Sequence, residues 1–532
     1  MENFDYIVVG GGSSGCVAAS RLSEDPGVRV LLLESGRNDT SKWIHIPATF
    51  FKILEKGVDS TAYVGEPSEA LNNRPAIVPQ GHVIGGGSSV NAMIYIRGQS
   101  QDYDSWGQMG VKGWSFEEVL PVFRSLENNM RHSDEFHGTE GELVVSEKGY
   151  GHPLSWAFIR AAQEVGIPYN EDFNGAEQAG VGFYQSTTSE NRRWSAAQAF
   201  LRKAEKRPNL QILTNRRVAK IIFAGKRASG VILEDGASYT CTGEVVMCAG
   251  AIETPRLLQL SGIGKAAELI EHGIDVVSDL PGVGENYQDH LESTVQGETH
   301  EPISMYKEDK GFAAFKHMLQ YLTTRTGLLT SNVVECGGFV DVSDKGIPDL
   351  QFHVLPLMVA GLDRPAIEAH GIAIGPNLLR PESRGTVKLR SANSKDSALF
   401  NSGALTDPAD VEILMRGIKK GIEILEAPSL AKLIKRRMMP EPGIENDDDA
   451  FRDYVRQTAK TIFHPSGTCK MGSDTDKMAV LDSELRVRGV QGLRVADASA
   501  MPSLTSGNTN APTMMIAERC TRFMLGNEAV GA

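Results

Sequence analysis

Three glycines near the amino terminus have the spacing of a phosphate-binding turn. Gly10, Gly12 and Gly15 follow an apolar, β-branched run at 5–9 (DYIVV) and precede a segment of helical composition that begins at Cys16. Glycines let a backbone approach a pyrophosphate closely, and the N-terminus of a helix offers unpaired N–H groups to an anion. The order of strand, glycine turn and helix therefore predicts a dinucleotide-binding site.

Two further features fit this site. Glu34 ends a second apolar run, residues 28–33, about 20 residues after the last glycine, where an acid accepts hydrogen bonds from the ribose of adenosine. Ser13 and Ser14 can add hydroxyl donors within the turn. With both strands, the helix and the acid present, the pattern favours dinucleotide binding over a purely structural turn.

Ser13 also has a competing interpretation. Residues 11–15 match G-x-S-x-G, in which a serine at a strand-to-helix turn is the nucleophile of an α/β-hydrolase. That turn follows several earlier strands in hydrolases, because one of them supplies part of the oxyanion hole, and here a single strand precedes it. The hydrolase interpretation is therefore the weaker alternative.

A histidine near the carboxyl terminus is a second candidate for chemistry. His464 precedes Pro465, and a residue before proline is held in extended geometry, so its ring is expected to project from the end of an element. An imidazole can act as a base near neutral pH, although a single histidine is more often structural, and spacing alone does not decide between these roles. Asp289 and His290 have no third ligand at useful spacing, so capping or packing is favoured over a metal site.

The order of elements indicates an α/β fold with two domains. A length of 532 residues allows two to four domains. Residues 210–250 read as a strand meander with a hairpin turn at 225–227, residues 493–496 as a strand that ends at Asp497, and the chain from Pro512 as a helix. In 250–264, Thr254-Pro255 reads as an interruption and 257–260 as a short helix. Residues 291–458 change character, with strands near 350–357 and 386–390, a helix near 409–425 and a helix-starting acid cluster at 447–449.

The composition excludes several function classes. Hydrophobic residues make up 41% of the chain, and acidic residues outnumber basic ones by 67 to 54, which argues against a nucleic-acid partner. Six cysteines without a C-x-x-C pair predict reduced thiols rather than disulfides or zinc. The absence of a signal peptide and of a long apolar run predicts a soluble, cytoplasmic protein.

Five motifs together resemble the glucose-methanol-choline (GMC) family of flavin-dependent alcohol oxidoreductases, with its choline dehydrogenase-like, alcohol dehydrogenase and L-sorbose dehydrogenase members. They occur in the family's order: DYIVVGGGSSGCVAA at 5–19, GHVIGGGSSVNAMIYIRG at 81–98, GAIETPRLLQLSGIG at 250–264, HPSGTCKMG at 464–472 and VADASAMPSLTSGNTNAPTMMIAER at 495–519. The resemblance implies a Rossmann-like FAD-binding domain formed by 1–150, 205–295 and 460–532. It also implies an inserted substrate-binding domain, formed by 151–204 and 296–459, built on an antiparallel sheet with helices.

The resemblance also implies which residues bind FAD. On the adenosine and pyrophosphate side they are Gly10, Gly12, Ser13, Ser14, Gly15, Glu34, Ser35, Val218, Ala249 and Gly250. Along the pyrophosphate, ribityl chain and ring they are Gly87, Asn91, Met93, Asp497, Ala498 and Thr509. Covalently flavinylated members carry a histidine at the position of Val90, so we expect a dissociable, non-covalent FAD.

The catalytic pair is likewise implied by position. His464 falls on the family's catalytic histidine, and Asn508 falls on its partner, which is asparagine in the choline-type members. A base within hydrogen-bond reach of the substrate hydroxyl fits hydride removal from an alcohol carbon, with flavin as the acceptor. The expected reaction converts a small uncharged alcohol, polyol or sugar to an aldehyde or ketone. Choline stays an open alternative, although its quaternary ammonium would require a carboxylate or an aromatic cage, which the sequence does not place.

The fate of the electrons stays open between a quinone or dye acceptor and oxygen, as in an alcohol oxidase. A flavin-binding member without net oxidation is a further alternative. The segment 311–329 has apolar residues at helical spacing among basic ones, which fits domain packing or contact with the inner membrane. The sequence gives no oligomeric state.

Overall fold

Two large sheets organise the chain in the computed structural model, which describes residues 2–147, 149–360 and 367–526. The first sheet has seven strands, which are Asn3–Val9, Val30–Leu33, Leu210–Leu213, Val218–Ala224, Arg227–Leu233, Ser238–Met247 and Leu493–Val495. The second has eight, which are Gly180–Phe183, Leu291–Glu292, Val295–Thr299, Cys336–Val340, Leu350–Leu355, Gly371–Leu378, Ile434–Met439 and Lys460–Thr461. The predicted α/β fold with an antiparallel second sheet is confirmed.

The first sheet is parallel around its first strand. Asn3–Val9 pairs in parallel with Val30–Leu33 on one side and with Ser238–Met247 on the other. The helix Ser13–Leu22 connects the first two of these strands, which makes the Rossmann-like unit. Ser238–Met247 also pairs antiparallel with Arg227–Leu233 and, at its end, parallel with Leu493–Val495. The carboxyl ends of these parallel strands therefore lie at one edge of the sheet.

Further short pairs and helices complete the fold. The two-stranded sheets pair Ser60–Ser68 with Arg74–Gly81, Glu127–Asn129 with Leu143–Val145, Thr188–Ser189 with Arg192–Arg193, Ile263–Gly264 with Ser278–Asp279, and Thr386–Lys388 with Leu399–Asn401. The helices are Ser13–Leu22, Lys42–His45, Phe50–Lys56, Gly87–Val90, Ser100–Gln108, Phe116–Leu126, Pro153–Glu164, Arg202–Ala204, Gly250–Leu260, Ala266–Glu271, Gly311–Thr324, Pro408–Glu426, Pro428–Ala431, Asp448–Thr458 and Asn510–Met524.

Each large sheet has its own apolar core. Ile7 and Val8 of the first strand are fully buried in one cluster with residues of the helices Ser13–Leu22 and Asn510–Met524. In the second sheet, Phe352 and Ile374 are buried in a cluster that includes residues of the helix Pro408–Glu426. The predicted division into two domains remains a proposal, which this separation into two cores supports.

The predicted interruption at Thr254-Pro255 is wrong. One helix, Gly250–Leu260, runs through Pro255. Proline in a helix leaves the carbonyl four residues earlier without its N–H donor. The Thr468 hydroxyl instead donates to the carbonyl oxygen of Ala251 at 2.6 Å, which satisfies that group from outside the helix. A distant threonine therefore satisfies the carbonyl group that Pro255 leaves without a donor.

Other boundaries move by a few residues. The first helix begins at Ser13 rather than Cys16, and the second strand begins at Val30 rather than residue 28. The acid cluster starts a helix as predicted, because Asp447 accepts hydrogen bonds from the N–H groups of Asp449 and Ala450. All six cysteines are buried free thiols. Within the described residues, every helix is too short or too polar to cross a bilayer.

Candidate active site

A cavity of about 1590 Å³ is lined by residues of both large sheets. Small-molecule pockets usually have volumes of about 300–1,000 Å³, so this cavity has room for a dinucleotide together with a second, smaller molecule. Val9 and Leu33 contribute from the first sheet, and His353 and Leu355 from the second. The predicted cofactor-binding and catalytic residues can therefore each be tested for whether they line this cavity.

The first glycine turn is shaped by close backbone contacts. Gly10 has a φ of 103°, and a Cβ there would lie 2.4 Å from the carbonyl oxygen of Cys248. A Cβ at Gly15 would lie 1.8 Å from the carbonyl oxygen of Gly10. Gly15 therefore lets the helix Ser13–Leu22 begin directly against the turn, while Gly12 lines the cavity.

The second glycine loop meets the first. A Cβ at Gly86 would lie 2.6 Å from the Cα of Gly12, so the two loops touch through bare backbone. Gly87 and Gly250 both line the cavity, and a Cβ at either position would meet no protein atom within 4 Å. These two positions leave open space beside exposed backbone, which is what a closely approaching cofactor needs.

Three helices begin at the cavity wall. The first residues of Ser13–Leu22, Gly250–Leu260 and Asn510–Met524 all line it. Each N-terminus carries partial positive charge and free N–H groups, which favours a bound anion such as a pyrophosphate. Together with the glycine cradle, this arrangement fits FAD.

Glu34, which is predicted to contact a ribose, also accepts hydrogen bonds from two backbone groups of the protein. Its Oε2 accepts a hydrogen bond from the N–H of Gly11 at 2.7 Å, and its Oε1 accepts one from the N–H of Gly36 at 2.6 Å. Burial raises the pKa of the carboxyl group, while these two hydrogen bonds lower it. Glu34 therefore ties the glycine turn to the end of the second strand, and it also lines the cavity. His82 donates to or accepts from Ser35 Oγ at 3.0 Å beside it.

Asp497 and Ser13 are held by protein groups. Asp497 Oδ2 accepts from the N–H of Gly250 at 2.8 Å and from the Thr254 hydroxyl at 2.6 Å, which holds the start of the helix Gly250–Leu260.

Ser13 Oγ donates to Asn510 Oδ1 at 2.8 Å. An amide oxygen cannot take a proton from serine as a histidine would, so the structure does not support the hydrolase alternative.

Two histidines meet beside the cavity, which His464 lines. His290 Nδ1 and His464 Nδ1 are 2.9 Å apart, and His290 Nε2 lies 3.1 Å from the carbonyl oxygen of Leu379. A carbonyl only accepts, so His290 Nε2 carries the proton and, in the neutral ring, Nδ1 is the acceptor. His464 must then donate from Nδ1, which leaves the lone pair on its Nε2.

Asn508 agrees with this assignment. Its Oδ1 accepts from Gln351 Nε2 at 3.3 Å, so its NH₂ group points the other way, to His464 Nε2 at 3.4 Å. His464 and Asn508 both line the cavity. The pair therefore presents an unprotonated ring nitrogen and an amide donor side by side.

Asp289 fixes the backbone of this segment. Its Oδ1 accepts from the N–H of His464 at 2.8 Å, and its Oδ2 accepts from Tyr287 at 3.0 Å and from Thr461. Phe463, directly before His464, has a φ of 72°, a conformation that L-residues rarely adopt. Burial raises the pKa of Asp289 to about 6, against the effect of these hydrogen bonds. Within the described residues, no group of side chains could hold a metal ion.

The surroundings keep the histidines neutral. Burial lowers the pKa of His464 well below its usual value, and the nearby His290 and His353 lower it further. Burial also lowers the pKa of His290 to about 3. A neutral imidazole with its lone pair next to an amide donor can accept a proton from a hydroxyl group within hydrogen-bond reach of both.

Of the residues predicted to bind FAD, all but Gly15 line this one cavity, and Val90 lines it as well. Their individual contacts with FAD stay predictions. Sequence reasoning missed the roles of His290, Asp289 and Gln351, since their contacts with His464 and Asn508 join residues far apart in the chain. The only local signal was the polar end of the loop at 280–290.

Comparison with known proteins gives consistent matches. The N-terminal and C-terminal models of the family described as GMC oxidoreductase match residues 4–292 and 381–517. The chain is 44% identical to the alcohol dehydrogenase (acceptor) of Pseudomonas putida, over 98% of this chain and 96% of that protein. It is 41% identical to the mitochondrial choline dehydrogenase of Homo sapiens, over 99% and 91% of the two chains.

A solved structure is similar over the whole fold. The crystal structure of pyridoxine 4-oxidase from Mesorbium loti superposes with a TM-score of 0.89 and 30% identity, covering 99% of this chain and 100% of that chain.

Proposed function

Because this chain belongs to the GMC oxidoreductase family, whose members use FAD to oxidise CH–OH groups, we propose that it oxidises a small neutral alcohol, polyol or sugar to the aldehyde or ketone. The observation that carries this proposal is the unprotonated Nε2 of His464, 3.4 Å from the amide nitrogen of Asn508, in a cavity large enough for FAD and a substrate.

The protein's part in the reaction is to hold and move a proton. The substrate hydroxyl lies within hydrogen-bond reach of both His464 Nε2, which accepts its proton, and Asn508 Nδ2, which donates to its oxygen. FAD, when bound, supplies the acceptor for the hydride that leaves the carbinol carbon. His290 and Asp289 hold the ring and backbone of His464, so its orientation is set before the substrate arrives.

The test is the reductive half-reaction of His464→Ala. We expect FAD content to be unchanged and the rate of anaerobic flavin bleaching by alcohols to fall by about 10²- to 10⁴-fold, the usual contribution of a general base. The exposed His300, replaced by alanine, is the matched control. A His464→Ala rate close to that of the control would refute the proposed role.

We propose that FAD is bound without a covalent link, because Val90 lines the cavity at the position where covalently flavinylated members carry a histidine. Valine has no nucleophilic atom. Acid denaturation is expected to release the yellow cofactor into the supernatant, and colour retained in the pellet would contradict the proposal.

We propose a quinone, or a dye in its place, as electron acceptor, and the alternative is an oxygen-using oxidase. The 44% identical relative is named an alcohol dehydrogenase (acceptor), and this name supports the dehydrogenase without specifying the acceptor. Comparing turnover with a soluble quinone analogue and with oxygen decides between them. Hydrogen peroxide formed as fast as the quinone analogue is reduced would favour the oxidase.

We propose further that the protein is cytoplasmic and rests on the inner membrane through the helix Gly311–Thr324. Phe312, Phe315, Leu319 and Leu322 form an exposed apolar stripe at helical spacing, with Phe312 80% exposed. The other side of this helix reaches the cavity through its residues Ala314, His317 and Met318.

The charge around this helix suits an anionic lipid surface, because Lys307, Lys310, Lys316 and Arg325 are all exposed. Co-flotation with vesicles that contain anionic phospholipid is expected, and Phe315→Asp should abolish it. Ile270, an exposed residue on another helix, changed to aspartate is the control. Protein that stays at the bottom of the gradient with such vesicles would exclude this contact.

A further inference from the structure

A carboxylate lies in the cavity with its own counter-ion. Glu292 and Lys460 are directly opposite in the antiparallel pair Leu291–Glu292 and Lys460–Thr461. Lys460 Nζ is 3.0 Å from Glu292 Oε1, and the side chains are 32% and 8% exposed, respectively. Both residues line the cavity. The carboxylate is therefore neutralised by the protein before any substrate binds.

The pair belongs to the part of the cavity where the reaction is proposed. Glu292 is two residues after His290, and Lys460 is four residues before His464. Glu292 Oε2 is 3.9 Å from Nδ1 of His353, which also lines the cavity. Burial lowers the pKa of His353 to about 4. Glu292 raises that pKa and Lys460 lowers it, so both charges act on this residue of the cavity wall.

The surroundings make these charges effective. Leu355, Met358 and Phe463 line the same cavity, and charges interact more strongly where apolar groups exclude water. A lone carboxylate at Glu292 would attract a cationic group of a substrate. With Lys460 bound to it, the site has no net charge to offer such a group, and the ammonium of Lys460 repels it.

We propose that Lys460 determines substrate charge: by pairing with Glu292 it makes the site select neutral alcohols over quaternary ammonium alcohols. The inference rests on the proposed alcohol oxidation.

The test compares two alcohols of the same shape. Choline and 3,3-dimethyl-1-butanol differ by the charge on one central atom, so the ratio of their kcat/KM values isolates the charge preference. The wild-type protein should prefer the neutral alcohol. Lys460→Met, which keeps the length of the side chain but not its charge, should shift the ratio toward choline by at least tenfold.

Three more variants make the result specific. Lys460→Arg keeps the charge and should leave the ratio as in the wild type. The double variant Lys460→Met/Glu292→Gln removes the carboxylate as well and should lose the gain for choline. Lys460→Gln replaces Lys460→Met if the latter fails to fold or to retain FAD.

Binding gives a readout that does not depend on turnover. Tetramethylammonium chloride should raise the Tm of Lys460→Met relative to sodium chloride at equal ionic strength, and should not raise that of the wild type. An unchanged substrate ratio in a Lys460→Met protein that still oxidises 3,3-dimethyl-1-butanol would overturn the inference. So would a wild-type protein that prefers choline. Failure of every alcohol to bleach the flavin would instead overturn the proposed function.

Discussion

His290 and His464 face each other through their Nδ1 atoms, 2.9 Å apart, and only one of the two can carry the shared proton. The carbonyl of Leu379 requires the other proton of His290 at Nε2. The proton between the rings therefore belongs to His464, and the catalytic ring is held in the tautomer that can act as a base toward the cavity. His290 is fully buried, so water does not offer its ring an alternative partner.

His290 should therefore affect the rate through His464 rather than through contact with the substrate, and replacing it should slow the reaction. His290→Phe removes the acceptor and lets His464 turn or change tautomer, so we expect kcat to fall at least tenfold with a smaller change in KM. His290→Asn, whose amide oxygen can accept from His464 Nδ1, should recover part of the loss. Equal rates for the phenylalanine and asparagine variants would show that the tautomer is not set by this contact.

The two glycines Gly15 and Gly87 should respond differently to the same change. Gly15→Ala would place a Cβ 1.8 Å from the carbonyl oxygen of Gly10, so we expect loss of stability in the FAD-free protein as well as loss of FAD. A Cβ at Gly87 meets no protein atom within 4 Å, so Gly87→Ala should leave the stability of the FAD-free protein unchanged and weaken FAD binding.

Urea unfolding of the FAD-free proteins and titration with FAD separate these two effects. If Gly87→Ala bound FAD as tightly as the wild type, the cofactor would not approach the second glycine loop.

Thr468 and Pro255 should be coupled in stability. Thr468→Val removes the donor to the Ala251 carbonyl oxygen, and a buried unsatisfied carbonyl costs about 1–3 kcal/mol of unfolding free energy. In a Pro255→Ala background, the new N–H of residue 255 can bond the same carbonyl within the helix. A double-mutant cycle should therefore give a smaller cost for Thr468→Val in that background. Equal costs in both backgrounds would contradict the proposed role of Thr468.

Stability should fall in mild acid because several buried histidines resist protonation. Burial lowers the pKa of His152 and His353 to about 4, that of His290 to about 3 and that of His464 well below its usual value. Above about pH 6.5 neither the folded nor the unfolded state binds these protons, so the histidines do not lower the free energy of unfolding. Below it the unfolded chain binds protons that the folded chain does not, at a cost of up to about 1.4 kcal/mol per pH unit for each histidine.

Asp289 opposes this trend, because its raised folded pKa of about 6 makes the folded state bind a proton between pH 6 and about 4. The raised pKa values of Glu34, Asp497 and His137 act in the same direction, and the four histidines outweigh them. Unfolding free energies from urea titrations at pH 7, 6 and 5 should decrease in that order. His353→Gln removes one of the titrating groups and should reduce the slope. A free energy that is constant or increases toward pH 5 would contradict the assignment of these rings as neutral.

The spacing of residues that are close in the sequence determined the part of the site formed by the first glycine turn and Glu34. The turn formed by Gly10, Gly12 and Gly15 and the acid Glu34 were predicted from the sequence, because a strand, a tight turn and a helix within a few dozen residues leave little freedom of geometry. The motif resemblance likewise gave the family, which the comparisons confirmed, and the positions of His464 and Asn508, which line the cavity.

Only the tertiary structure decided the contacts that give these residues their chemistry. His290 with His464, Glu292 with Lys460, and Ala251 with Thr468 join residues more than 160 positions apart. These contacts depend on the register of strands and on how one loop packs on another, and neither follows from the residue types alone. A one-residue shift in the pairing of Leu291–Glu292 with Lys460–Thr461 would place Glu292 and Lys460 on opposite faces of the sheet, and would leave the sequence motifs unchanged.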